Sequence, residues 1–212
     1  MLMADRFQNR PRERAQTLGG RTRWILVAAA ITVTIVGILI WPIRPSPRDV
    51  VPGATAPSFS LPVARGGSCD LAGLLVKKKI VLLSFLDARS MPLSRTEADP
   101  SRGQLVFLKS MAQQYAPSGL EVLIVGCNRL FSRKPLAAGA LLNFTYDWKL
   151  DDVTVLRDDG AGTAFRYGVS TLPTTFLIAS DGHIQRRWDG FVASAQLALA
   201  IESLVGPPRF QR

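Results

Sequence analysis

Cys69, Cys127 and His183 are the side chains of this chain best equipped for covalent or metal chemistry. Their small number bounds what they can do. A zinc site draws four closely spaced Cys and His ligands, and a redox dithiol needs two cysteines at a short spacing such as Cys-x-x-Cys. The two cysteines lie far apart and match neither pattern. In an oxidising compartment an isolated pair suggests a disulfide. Three readings stay open: two buried unpaired thiols, a structural disulfide between them, or Cys127 as a displaced reactive thiol. Asp87 follows an apolar run and reads either as a carboxylate in a cleft or, more simply, as the cap of the next helix. His183 follows Asp181-Gly182, a hairpin-turn signal, and reads as a solvated turn residue. No metal site and no cofactor site is expected.

The elements that must position these groups follow from hydrophobic pattern. Residues 80–86, IVLLSFL, form a nearly continuous apolar run, as a strand does when both faces of a parallel sheet are covered. Residues 120–125 repeat the pattern and place Cys127 just beyond the carboxyl end of the second strand, the edge where open α/β sheets bind ligands. Between the runs, residues 101–115 predict a helix with Leu105, Phe107, Leu108 and Met111 on one face. Strand, helix, strand makes a right-handed crossover. A strand at 175–179, the Asp181-Gly182 turn, a partner strand at 184–188 and a helix at 193–205 complete the order.

The amino-terminal part has a different character. Residues 1–23 carry six arginines against Asp5 and Glu13 without apolar periodicity, and a solvated, disordered tail is expected. Residues 24–41, WILVAAAITVTIVGILIW, contain no charge and reach about 27 Å at the helical rise, enough to span a bilayer core. Trp24 and Trp41 mark its ends, and Arg21 and Arg23 place the tail on the cytoplasmic side. A cleaved signal peptide is the rival, but its apolar region usually runs about 7–15 residues. Residues 42–57 hold five prolines and predict an extended stalk. The domain then occupies residues 58–206, outside the cytoplasmic membrane in a periplasm or extracellular space, with residues 207–212 as a short tail. The net charge of +10 invites a nucleic-acid reading, but much of it sits on the tail, and no aromatics interleave with Lys77, Lys78 and Lys79. No nucleic-acid partner is expected.

Three segments carry a more specific likeness: GATAPSFSLP (residues 53–62), VLLSF (81–85) and YGVSTLPTTFLIASDGHI (167–184), closed by Trp188-Asp189-Gly190. Together they resemble the membrane-anchored thioredoxin-like proteins of the TlpA and ResA type, over residues 53–206. The resemblance implies an α/β thioredoxin-like fold, a central mixed sheet flanked by helices, here with one amino-terminal transmembrane helix. It also implies that Pro173 is a cis proline beside the active site, with Leu172, Pro173 and Thr174 as binding positions.

In that family a Cys-x-x-Cys motif follows the first central strand at a helix amino terminus, where the dipole favours a thiolate. Here the stretch reads SFLDARSMPLSRTE (residues 84–97). Ser90 falls at the first cysteine and Leu93 at the second; with one residue inserted, Ser94 takes the second place. A serine hydroxyl can neither form a disulfide nor carry two electrons through one. Thiol–disulfide exchange by this motif is excluded, and so is peroxide reduction through a thiol at Ser94. Serine hydrolysis would need a base near Ser90, and His183 belongs at the far end of the sheet.

The sequence thus favours a membrane-anchored protein that retains the fold, has lost the cysteine pair, and acts as a protein-binding, assembly or accessory subunit at the membrane. The alternative is a thiol–disulfide oxidoreductase of the cytochrome c maturation type, working through Cys127 or a partner's thiols. Copper delivery, which would take two thiolates and a nearby histidine, has no support in these residues.

Overall fold

The computed structural model describes residues 50–88, 100–128 and 139–208. The expected tail, the expected transmembrane segment, the first part of the stalk and the motif positions Ser90, Leu93 and Ser94 lie outside them. Among the described residues no helix is long and apolar enough to cross a membrane.

Two strands with no exposed face organise the domain. In β3 (Ile80–Asp87), Leu82 and Leu86 point to one side, and Val81, Leu83 and Phe85 to the other; all five are buried. In β4 (Leu120–Cys127), Val122 and Ile124 join the first side, and Leu123, Val125 and Cys127 the second. Period-two alternation with both sides apolar requires a covering layer on each face. The strands pair in parallel from Ile80 opposite Leu120 to Asp87 opposite Cys127.

On the first face lie α2 (Pro100–Tyr115), α3 (Ala140–Asp147) and α5 (Ser194–Val205). The α2 stripe is Leu105, Leu108, Met111, Ala112 and Tyr115. Phe107, expected on that stripe, packs against the same core, half-buried, with its ring 5.5 Å from that of Phe191. On the second face lie a small hairpin of β1 (Ser60–Pro62) and β2 (Ser68–Asp70), then α1 (Leu71–Val76) and α4 (Gly162–Arg166). Phe59, Phe85, Tyr167 and Phe176 form an aromatic cluster there.

The sheet is completed by β5 (Thr154–Arg157), β6 (Thr174–Ile178) and β7 (Ile184–Asp189), in the order β5-β4-β3-β6-β7. β5 and β4 run parallel to β3, while β6 and β7 form an antiparallel hairpin against it, so the sheet is mixed. This is the thioredoxin-like α/β arrangement. The strand expected at 175–179 begins and ends one residue earlier. Both edges of the sheet are partly covered by the amino-terminal segment. Gly53 donates its amide to the Ile184 carbonyl at 2.7 Å, Ile184 returns a bond to Ala54 at 2.9 Å, and Ala56 bonds Gly182 at 2.9 Å. Ala64 bonds Val155 at 2.8 Å on the β5 side. Edge coverage of this kind removes unpaired strand groups that would otherwise recruit another chain. Residues 50–57, read from their prolines as stalk, are therefore part of the folded unit; Val50 itself is buried.

The described residues carry eleven Lys and Arg against eleven Asp and Glu. The excess of +10 therefore sits wholly outside them.

One polar pair interrupts the apolar centre. Ser84 and Thr175 face each other across β3 and β6, both fully buried, with their hydroxyl oxygens 2.8 Å apart. An unpaired buried hydroxyl costs about 1–3 kcal/mol, whereas removing both partners is nearly neutral. Ser84→Ala should thus lower the unfolding free energy by about 1–2 kcal/mol in urea titrations. Adding Thr175→Val should recover most of that loss; additive losses would show that the two hydroxyls do not act as a pair.

Candidate functional site

The carboxyl ends of β3 and β4 and the start of β6 meet at one edge of the sheet. Asp87 stands opposite Cys127 in register, and Phe85 opposite Thr174. The Ala88 amide continues the ladder to the Cys127 carbonyl at 3.0 Å. At Gly126 a Cβ would meet the tip of the Leu141 side chain and the Ala88 Cβ, so a larger residue there would make Leu141 shift. The Leu172–Pro173 peptide bond is cis, the isomer that the resemblance implies.

The three expected binding positions differ in what they offer. Pro173 is buried, and its carbonyl accepts the Gly190 amide at 2.8 Å. Thr174 is fully buried; its hydroxyl lies 2.8 Å from the Thr171 carbonyl and 3.2 Å from an Asp189 carboxylate oxygen. With one proton it donates to one of these at a time, so it shapes the loop from inside. Leu172 is half-buried and Thr171 exposed, so these two form the outer rim. Phe191, exposed, follows the Gly190 whose amide bonds Pro173, and it lies against Gly103 and Phe107 of α2.

Cys127 belongs to the edge but not to its surface. Its thiol is 1% exposed, with Sγ 3.7 Å from the Val125 carbonyl. Burial pushes its pKa up to about 12, and the Asp158 and Asp87 carboxylates add to the rise. A nucleophilic cysteine needs the opposite, an electropositive and accessible setting. Cys69 sits half-buried in β2, opposite Leu61, and its pKa is raised by burial and then by the Glu121 and Asp70 carboxylates. Glu121 and Cys127 mark the two ends of β4, about 20 Å apart at the strand rise. A disulfide needs Cα atoms within about 7 Å, so the pairing read as one possibility from sequence fails, and both thiols are free. Cys127 is thus a buried free thiol and Cys69 a half-buried one.

His183 lies at the opposite end of β6, in the exposed turn. Its amide donates to Asp181 Oδ1 at 2.9 Å, and that bond holds the Asp181 carboxyl below its ordinary range. The five-residue length of β6 keeps this imidazole about 16 Å from the Pro173 edge. Among the described residues no group of three His, Cys, Asp or Glu side chains is arranged to hold a metal. A cavity of about 160 Å³ opens on the β5 edge, where Arg65 and Asp151 already satisfy each other at 2.6 Å.

Pattern reading missed three residues. Gln104, buried on α2, accepts the Val192 amide at 2.8 Å and leaves its own amide nitrogen without a partner. It therefore fixes the chain after β7 against the helix. Arg187 and Asp189 pair at 2.9 Å on one side of β7, with the guanidinium 5.4 Å over the Phe176 ring. Opposite charges two apart in a strand share a face, and that spacing was the readable signal.

Residues 52–187 match the model of the AhpC/TSA family. No curated protein matches the chain by sequence. Among solved structures, a protein assigned as the thiol:disulfide interchange protein DsbE of Chlorobium tepidum superposes with a TM-score of 0.59 at 25% identity, covering 73% of this chain and 98% of that one. Peroxidoxin BcpB of Mycobacterium tuberculosis gives a TM-score of 0.57 at 20% identity, covering 73% and 96%. A thiol:disulfide interchange protein of a Bacteroides species gives 0.56 at 18%, covering 74% and 91%. The last two likenesses speak to fold alone.

The thiol makes a pH prediction. Cys127 titrates near 9 when unfolded and near 12 when folded, so between these values the unfolded chain has lost a proton that the folded chain keeps. Stability is full below about pH 9 and falls as pH rises through that window, by up to about 1.4 kcal/mol per pH unit. Denaturation measured from pH 8 to 11 should show this slope, reduced by about 1 kcal/mol per unit in Cys127→Ala. An unchanged slope would mean that Cys127 is not the buried acid.

Proposed function

The chain belongs to the AhpC/TSA family, and from that premise we propose that it keeps the redoxin fold as a binding scaffold rather than as a thiol catalyst. One observation carries the reading. The strand ends meet the Leu172–Pro173 turn at one edge, and the thiol there is Cys127, buried and held protonated. Ser90, Leu93 and Ser94 stand where a TlpA-type cysteine pair would be. The fold relates the chain to thiol–disulfide oxidoreductases, but a fold does not fix a chemistry.

On this reading the protein is anchored by residues 24–41 with its domain outside the cytoplasm, and serves as an assembly or accessory subunit of a membrane complex. The rim of Thr171, Leu172 and Phe191 offers main-chain groups beside apolar side chains, which suits an extended peptide. The burial of Cys127 leaves the oxidoreductase alternative with no accessible thiol at this edge.

Extraction in mild detergent should recover the full chain with a stoichiometric protein partner. A photo-crosslinker at Thr171 should capture that same partner, while one at Leu199, exposed on α5, should not. Recovery as a lone monomer, or equal capture from both positions, would count against a binding role for the rim. Reduction of a disulfide-linked reporter peptide by the chain but not by Cys127→Ser would establish the oxidoreductase instead.

A further inference from the structure

Arg187 uses all of its hydrogen-bonding capacity on three separate stretches of chain. A guanidinium has five N–H donors in a planar fork. Nε donates to Asp189 at 2.9 Å. Nη1 donates to the Val50 carbonyl at 3.3 Å and lies 3.5 Å from that of Tyr167. Nη2 donates to the Gly168 carbonyl at 2.9 Å and to Asp189 at 3.0 Å. The side chain is 17% exposed and rests on the Phe176 ring, so these bonds form largely out of water. A second tie runs parallel: the Tyr167 hydroxyl donates to the Pro57 carbonyl at 2.8 Å.

The stretches joined are the strap of residues 50–57, which enters the domain along β7, and the loop of residues 167–173, which ends on the Pro173 rim. Asp189, gripped by the same guanidinium, also faces the Thr174 hydroxyl next to that proline. We infer that Arg187 is a latch coupling the docking of the strap to the order of the 167–173 loop. The two form one cooperative unit, and a partner or a pull acting on the chain ahead of Val50 changes the rim without touching it. Local opening in such units is set by the contacts that tie them to the core. The coupling goes beyond the binding role and does not depend on what the rim binds.

Gly53 allows a clean test, because its φ of +89° disfavours any side chain while a Cβ there would meet nothing within 4 Å. Gly53→Ala therefore strains the strap without a clash. Amide exchange is followed on the full chain in detergent. The strap amides of Ala56 and Ile184 should exchange at least about fivefold faster in Gly53→Ala. The loop amides of Gly168 and Val169, and the Gly190 amide bonded to Pro173, should accelerate with them, while Val122 to Ile124 in β4 stay unchanged. In Arg187→Lys, whose single ammonium cannot span three carbonyls, these loop amides should already be fast, and adding Gly53→Ala should change them no further. A strap that loosens while the loop keeps its rates would overturn the inference. An equal response of the loop in the Arg187→Lys background would overturn the assignment to Arg187. Gly53→Ala alone decides the first point if the arginine variant does not fold.

Discussion

A strand with both faces buried needs a covering layer on each side and partners for its buried backbone groups, and that constraint on β3 arranges the rest of the domain. With Val81, Leu83 and Phe85 on one side and Leu82 and Leu86 on the other, β3 needs a neighbour along each edge and a layer over each face. The α2 crossover supplies one neighbour in parallel, and the β6–β7 hairpin supplies the other in antiparallel. The meeting of opposite chain directions is what brings the carboxyl end of β3 against the amino end of β6. The candidate site is a product of that meeting, since Asp87, Cys127 and the Pro173 turn have no local sequence relation to one another.

Much of this arrangement could be read from the residues. β3 and β4 were legible because an unbroken apolar run of that length has few other uses, and the β6–β7 hairpin because Asp181-Gly182 names its turn. β5 escaped notice: four residues, TVLR, carry too little pattern, and the strand exists because β4 has an open edge to fill. Phe107 packs against the core that helical periodicity points it to, but its ring partner Phe191 could not be read, because it comes from a distant stretch of sequence. The site was legible in outline only. The cis turn could be seen, but the burial of Cys127 depends on the residues of β1, α1 and α4 that cover the second face, which no local pattern announces.

The latch shows a different limit of pattern reading. Proline content marks residues 50–57 as unable to build a helix or an inner strand, and it says nothing about whether such a segment stands free. Here the segment finds partners at Ile184, Gly182 and Arg187, none of which advertises a vacancy in sequence. An arginine and an aspartate two apart in a strand look like solvated surface. Their position over Phe176 turns them into an internal joint.

The balanced charge of the described residues has a kinetic consequence. The eleven cations and eleven anions of the described residues leave little net field of their own, so steering of a partner would come from Arg129, Arg133 and Lys134, which follow β4 in sequence with no acidic residue among them, and would weaken as ionic strength rises. The arginines of residues 1–48 act on their own surroundings within a Debye length of about 8 Å. On the binding reading, affinity at such a rim would be governed by how long a partner stays, and the proposed anchor would set a local concentration that charge does not.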